Sequence, residues 1–497
     1  MLGEYLKLWT ILATLVVIWL LTSMWKWIKV GRYLPPGPWG LPVVGYLPWI
    51  NSLAFLTFEE LRKKYGSIFS VNLGPTTAVV LADWKAIKAT LVDKSMIFSG
   101  RPYHHTFETA TKRCTVSFND GKVWHDQRRL TIKCLRKVGV GRTKMEEIVS
   151  HSIDNIIDHL KTKNNQMVSL EDVLFKNVMS ILWKMVANKT FADGDKECDE
   201  FEKMVTQIMI SIRSNNPINF MPWLRFIPPN GFGHWDFVAL NNKIYEFLNK
   251  QINIHLSNWK EGLEDDFIDH YIAAIKEHEK QTLGEEKHLN TKRLTGTLWD
   301  LFVAGTDTTV TTALWGFLYI CLWPEVQKKA QKELDEVIGR ERLPCLSDFQ
   351  SGKLPYVDAM IMEVHRFASI VPLSLVHCPL DTVEIFGYKI PKRTPCIQSI
   401  YNVHFDPELW VEPKTFNPER FINDKNEAKS PPYLMPFSIG PRICIGESLA
   451  TQELRLLFGS LLHKFNFSIP NKQNISIVPQ VSLVVKPKPY KLLVQLR

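Results

Sequence analysis

Phe437-Ser438-Ile439-Gly440-Pro441-Arg442-Ile443-Cys444-Ile445-Gly446 sets one cysteine in a run of small and rigid residues, just before a helical pattern that opens at Glu447. Each residue type has a chemical reason to be there. Backbone N–H groups and a helix N-terminus stabilise thiolate, which predicts a lowered pKa for Cys444. Glycine lacks a Cβ, so Gly440 and Gly446 let the backbone approach a flat ligand. Arg442 can hold an anionic group of that ligand. A lone cysteine before a helix is otherwise an ordinary buried thiol, so residues elsewhere must decide between the two.

Three other constellations bear on that choice. Glu363-Val364-His365-Arg366 puts a carboxylate and a guanidinium at i,i+3 on a helical segment. Trp124-His125-Asp126-Gln127-Arg128 places an indole N–H and a guanidinium on one helix face, where both can hold a carboxylate. Residues 301–313 read Leu-Phe-Val-Ala-Gly-Thr-Asp-Thr-Thr-Val-Thr-Thr-Ala. A polar, β-branched run is a poor helix former inside a long apolar helix. Its threonine hydroxyls can take backbone carbonyls and open the helix. Such a conflict between local and global preference marks a functional site.

Composition narrows the class. The chain has 497 residues, 45% of them hydrophobic, with no repeat or long flexible linker, and reads as one large domain. The net charge of +9 is spread out. It suits an acidic protein partner or an anionic membrane, and no nucleic-acid motif accompanies it. None of the eight cysteines forms a C-x-x-C pair, as expected of a reduced, cytosol-facing protein.

From Leu8 to Trp25 every residue is uncharged, a run close to the roughly 20 apolar residues that span a bilayer as a helix. Trp9, Trp25 and Trp27 suit the interfaces, and Lys26, Lys29 and Arg32 place the remainder of the chain in the cytosol. Residues 1–30 are thus an expected membrane anchor and 31–497 the single large domain. Pro35-Pro36-Gly37-Pro38 is a stiff elbow between them. Two short strands are expected around Gly74-Pro75, with more strand at 383–400 and 481–496. Helices are expected near 123–136, 143–161, 168–187, 240–258 and 292–321, with another starting at Pro324. The fold class is mainly α with a smaller β portion.

The opening stretch matches F-x-x-G-x-R-x-C-x-G, the haem-binding signature of the cytochrome P450 superfamily. Five fixed positions arise by chance on the order of once in ten thousand chains of this length. The chain resembles that family over essentially its whole length. PPGPWGLPVVG and MPFSIGPRICIGESLA resemble the microsomal animal branch, which metabolises drugs, fatty acids and steroids.

The resemblance implies a cytochrome P450 fold preceded by one N-terminal transmembrane helix. It makes Cys444 the ligand of the iron in haem b (iron protoporphyrin IX). Phe437, Arg442, Gly446 and Ala304 would line that cofactor, and Arg101, Trp124, Arg128 and His377 would hold its propionates. Asp307 and Thr308, in A-G-x-D-T-T, would relay protons to O2. Glu363, Arg366 and Arg420, the last in P-E-R-F, would form a buried structural triad.

The implied reaction inserts one oxygen atom of O2 into lipophilic xenobiotics, fatty acids or steroids. Its electrons would come from NADPH through NADPH–cytochrome P450 reductase, docked on Arg128, Arg129, Lys133, Arg136 and Lys137. Cytochrome b5 is a further candidate donor, and the endoplasmic reticulum membrane is the expected location. Two residues depart from the family pattern. Arg393 stands where relatives often have glycine, and Cys378 follows His377 where arginine or a small residue is common. A haem-thiolate isomerase or haem-dependent binder is the competing class, and a structural cysteine in a helical scaffold is the blandest alternative.

Overall fold

A computed structural model describes residues 33–141, 143–190, 195–212, 216–281, 289–470, 475–481 and 484–497, with isolated positions between 7 and 18. The main helices are α1 (Ala54–Tyr65), α2 (Gly121–Lys137), α3 (Thr143–Thr162), α4 (Glu171–Ala187), α5 (Lys196–Ser211), α6 (His234–Asn258), α7 (Phe267–Gln281), α8 (Thr291–Leu322), α9 (Pro324–Ile338), α10 (Pro355–Ala368) and α11 (Glu447–Lys464). Every helix read from periodicity is present. α4 starts later than its pattern because Gln166–Val168 pairs as a strand instead.

α1, α5 and α7 were not expected, although two carried a signal. The Asp195 side chain accepts the N–H groups of Glu197 and Cys198, and Asp266 accepts that of Asp269. Both are N-caps for helices whose charged faces hide the apolar period.

α8 organises the molecule. It is 32 residues long, is capped by Asn290 on the Arg293 N–H, and is buried on nearly all sides from Leu294 to Cys321. A helix that is apolar all round belongs in the centre, and α4, α6, α10 and α11 pack against it. One anchor of that packing is Trp183, fully buried against Phe201, Phe247 and Phe302 with ring centroids 4.4–5.7 Å away. Truncating such a side chain to alanine typically costs about 3–5 kcal/mol.

The β portion is small. β1 (Ile68–Leu73) and β2 (Thr76–Leu81) form the expected hairpin at Gly74, and β2 pairs in parallel with β6 (Cys396–Gln398). β4 (Val383–Ile385) and β5 (Tyr388–Ile390) form a hairpin about Gly387. β3 (Gln166–Val168) and β7 (Phe465–Ser468) flank β10 (Leu492–Leu496), while β8 (Gln480–Val481) pairs with β9 (Val485–Lys486). The proline elbow docks on β1. Ser70 donates its N–H to Pro36 O at 3.0 Å and its hydroxyl to Pro35 O at 2.7 Å. A Cβ on Gly37 would lie 1.8 Å from Ser70 O, so the contact requires glycine.

Among the described residues no helix is long and apolar enough to cross a membrane. The expected anchor, Leu8 to Trp25, lies almost wholly outside the described residues.

Candidate active site

The cysteine loop is held by its own backbone. Cys444 N–H donates to Phe437 O at 3.0 Å, Ile443 N–H to Gly440 O at 3.0 Å, and α11 begins three residues on. Phe437 packs edge-on against His365, ring centroids 5.1 Å apart. Gly440 has φ +77°, and a Cβ there would lie 2.0 Å from Leu91 O. The glycine therefore serves a close contact within the protein, which the sequence pattern did not announce. At Gly446 a Cβ would meet the Cys444 sulfur at an ordinary 3.7 Å.

Cys444 has open surface, yet protein surrounds it closely enough that burial pushes its thiol up. An open side chain deep inside a chain faces an internal hollow. The expected lowering does not occur. Backbone N–H groups of Gly446 and Glu447 and the charge of Arg128 favour thiolate, but desolvation outweighs them. A coordinating metal deprotonates a thiol outright, so ligation itself would supply the missing stabilisation.

Beside this loop lies a cluster of guanidiniums. Arg101 gives Nη1 to Leu375 O at 2.7 Å and Val376 O at 2.9 Å, and Nε to Ser117 O at 3.0 Å. Arg442 gives Nη2 to Ser99 O at 2.6 Å and Asn119 O at 2.5 Å, and its guanidinium lies 3.9 Å over the Trp124 ring. Arg128 reaches Ile443 O at 2.6 Å, the carbonyl just before the cysteine. Each of these acceptors is a neutral carbonyl, and among the described residues none of the three arginines ion-pairs with a carboxylate.

Burial, deepened by neighbouring guanidiniums, pushes Arg101 down to about 10 and Arg442 to about 8. Guanidinium keeps its proton in proteins, so both side chains carry positive charge that burial makes costly. The nearby Asp300 does not supply one. Burial pushes it up to about 7, and its Oδ2 is taken by the Ser117 N–H at 2.9 Å.

His377 is buried and close to the same charges, and burial followed by Arg101 holds it well below the usual histidine range. Its Nδ1 is 2.8 Å from Phe98 O, which fixes Nδ1 as the donor and leaves Nε2 a bare acceptor. As a neutral ring it cannot donate to a carboxylate. It could do so only once protonated, which arriving anions would favour.

On α8, Ala304 is exposed and Thr308 part-exposed amid buried neighbours, so this helix also opens on an internal space. Thr308 Oγ1 donates to Ala304 O at 2.8 Å. The helix continues unbroken through this bond, and the expected opening is not seen. Asp307 is buried, and Oδ1 is ion-paired with Lys486 of β9. Its Oδ2 is buried and makes no hydrogen bond among the described residues. Burial raises its pKa, opposed by Lys486. No sequence pattern announced Lys486. Glu171 of α4 approaches the same ammonium at 3.8 Å.

A second charged cluster stands apart from these. Glu363 and Arg366 are fully buried and joined by two bonds of 2.7 Å, and Arg420 Nε adds one to Glu363 at 3.2 Å. Arg366 also reaches His404 O and Pro413 O, both at 2.8 Å, and Asn417 N–H caps Glu363 at 2.8 Å. His404, missed in the sequence, carries this network towards the cysteine loop. Its Nε2 accepts the Met435 N–H at 3.1 Å, so Nδ1 donates to Ser369 Oγ at 2.7 Å.

A deep open sulfur, a buried cluster short of negative charge, and an unbroken helix exposed at a small residue and a threonine fit haem with its two carboxylates. The class these features define is a haem-thiolate enzyme. The cytochrome P450 family model matches residues 35–494. Cytochrome P450 2L1 of Panulirus argus is 32% identical over 93% of this chain and 95% of its own length. Cytochrome P450 18a1 of Drosophila melanogaster is 31% identical over 98% and 91%, and cytochrome P450 2J2 of Homo sapiens 32% over 92% and 90%. The chain belongs to the cytochrome P450 family. It is a haem-thiolate monooxygenase that draws on O2 and reducing equivalents.

Proposed function

We propose that this enzyme is a microsomal monooxygenase that uses haem b to hydroxylate lipophilic substrates, whether xenobiotics, fatty acids or steroids. The observation that carries the reading is the sulfur of Cys444, open yet deep in the chain. When bound, haem supplies O2 activation, and thiolate ligation favours O–O cleavage.

The chain's own residues do the rest. Cys444 offers the ligand. Arg101, Arg128, Arg442 and the Trp124 indole hold the propionates, with His377 joining when protonated. Ala304 and Thr308 border the face where O2 and substrate meet. The Thr308 hydroxyl holds a proton there, and Asp307 Oδ2 is an acceptor able to pass one inward. Glu363, Arg366 and Arg420 keep the fold beneath the cysteine loop rigid.

The uncharged run from Leu8 to Trp25 anchors residues 1–30 in the endoplasmic reticulum membrane, with residues 31–497 facing the cytosol. NADPH–cytochrome P450 reductase supplies electrons, with cytochrome b5 as a second donor. Its docking face corrects the sequence expectation by one residue. Arg128 turns inward to Ile443 O, and the outward cations of α2 are Arg129, Lys133, Arg136 and Lys137.

The test is the carbon monoxide difference spectrum of the reduced protein, for the wild type and Cys444→Ala. A strongly red-shifted Soret band, lost in the variant, is expected. Folded wild type without that band would overturn the reading. Reductase-supported turnover with O2 consumption then separates oxygen insertion from isomerase or binder chemistry.

A further inference from the structure

Arg393 adopts φ +65°, a left-handed backbone conformation that suits glycine and strains other residues. Its side chain crosses to the rim of the guanidinium cluster. There it ion-pairs with Asp120, approaches Arg101 O at 3.4 Å, and lies 4.0 Å from the Cys378 sulfur. Asp120 immediately precedes α2, the helix of Trp124 and Arg128. The adjoining Asn119 carbonyl is gripped by Arg442 at 2.5 Å. Asp120 is thus an acid at the edge of a cluster that needs anions, and its charge already acts on Arg442. Unpaired, it would compete for the guanidiniums that the haem carboxylates require.

We infer that Arg393 is a positioning residue for the cofactor: it holds and neutralises Asp120 at the rim, leaving Arg101 and Arg442 to the haem propionates. This rests on the haem-thiolate reading. The arrangement gives opposite signs for two measurements. Arg393→Gly relieves backbone strain, so the thermal midpoint should hold or rise, whereas a competitor is freed, so haem should leave faster. Asp120 makes no side-chain cap bond to α2, so Asp120→Asn removes the competitor without removing a cap.

The experiment is transfer of haem from the full-length holoenzyme to excess apomyoglobin, followed at the Soret band and paired with thermal unfolding. Arg393→Gly is expected to release haem about two- to fivefold faster, the range a half-exposed ion pair supports. Asp120→Asn should behave as wild type, and the double variant should return to the wild-type rate. Wild-type release from Arg393→Gly, or a double variant as fast as the single, would overturn the inference. A wild type that takes up no haem would instead sink the haem-thiolate reading beneath it.

Discussion

Two groups of arginines, Arg101, Arg366 and Arg442 buried and Arg128 and Arg420 half-buried, differ in one respect. Arg366 and Arg420 share the carboxylate of Glu363, and the remaining donors end on carbonyls. Arg101, Arg128 and Arg442 have carbonyls for the same purpose but, among the described residues, no ion-paired carboxylate. Among the described residues the first group has its counter-charge, and the second has none, which is why we propose it as the anion site. A buried charge already paired is architecture; a buried charge provided with hydrogen bonds but no counter-ion is a binding site.

The largest break should come at the closed group. Arg366→Ala leaves Glu363 charged, with Arg420 as its remaining ion-pair partner, at 0% exposure. A loss of about 3–5 kcal/mol is expected, with or without haem. Urea unfolding of both forms checks it, and a loss confined to the haem-loaded form would contradict the architectural role.

Glu453 sharpens the comparison, because a carboxyl can shed its charge where a guanidinium cannot. It is buried on α11 and leaves Oε1 without a hydrogen bond among the described residues. Burial pushes it up to about 8 from an ordinary 4.5. Between those values the folded chain keeps a proton that the unfolded chain releases. Stability therefore declines as pH rises through that window and levels off above it. Glu453→Gln should abolish the decline and gain on the order of 2–4 kcal/mol at pH 8, read from unfolding midpoints across pH. A parallel decline in the variant would show that another group titrates.

At the open group the effect should fall on the ligand. Arg442→Ala removes charge-assisted bonds worth roughly 1.5–3 kcal/mol, so haem affinity should drop by about tenfold or more. Titration of the haem-free variant with haem measures this directly. An unchanged affinity would place the propionates elsewhere.

The sequence disclosed these regions unequally, for physical reasons. Cys444, the Glu363–Arg366 spacing and the Trp124–Arg128 turn were legible because local geometry fixes them: a loop before a helix, or neighbours one turn apart. The long apolar pattern of α8 was legible for the same reason. Lys486, His404 and Asp120 were not, since each finds its partner through tertiary packing. Asp307 was legible as a relay candidate beside Thr308, but its ion pair from Oδ1 to Lys486 was not, because folding alone brings β9 against α8. Gly440 was legible as a glycine of the cysteine loop, but its close approach to Leu91 O was not, since that contact is tertiary.

The smallest effect tests the comparison on a single helix. One face of α2 carries buried Trp124 and half-buried Arg128, and the other carries exposed Arg129, Lys133, Arg136 and Lys137. Inward charges are shielded from salt, whereas outward ones face water and are screened within about 10 Å at 0.1 M ionic strength. Lys133→Glu should leave haem content and the carbon monoxide spectrum intact. It should slow reductase-supported turnover only about two- to fivefold at low salt, the scale of an exposed charge contact. Raising the salt should erase the difference between variant and wild type. Arg128→Glu should instead lose haem at every ionic strength, because its partner is the Ile443 carbonyl beside the cysteine. If salt rescued Arg128→Glu as well, the two faces of α2 would not be distinct, and the division between paired, waiting and surface charge would fail at the helix that joins all three.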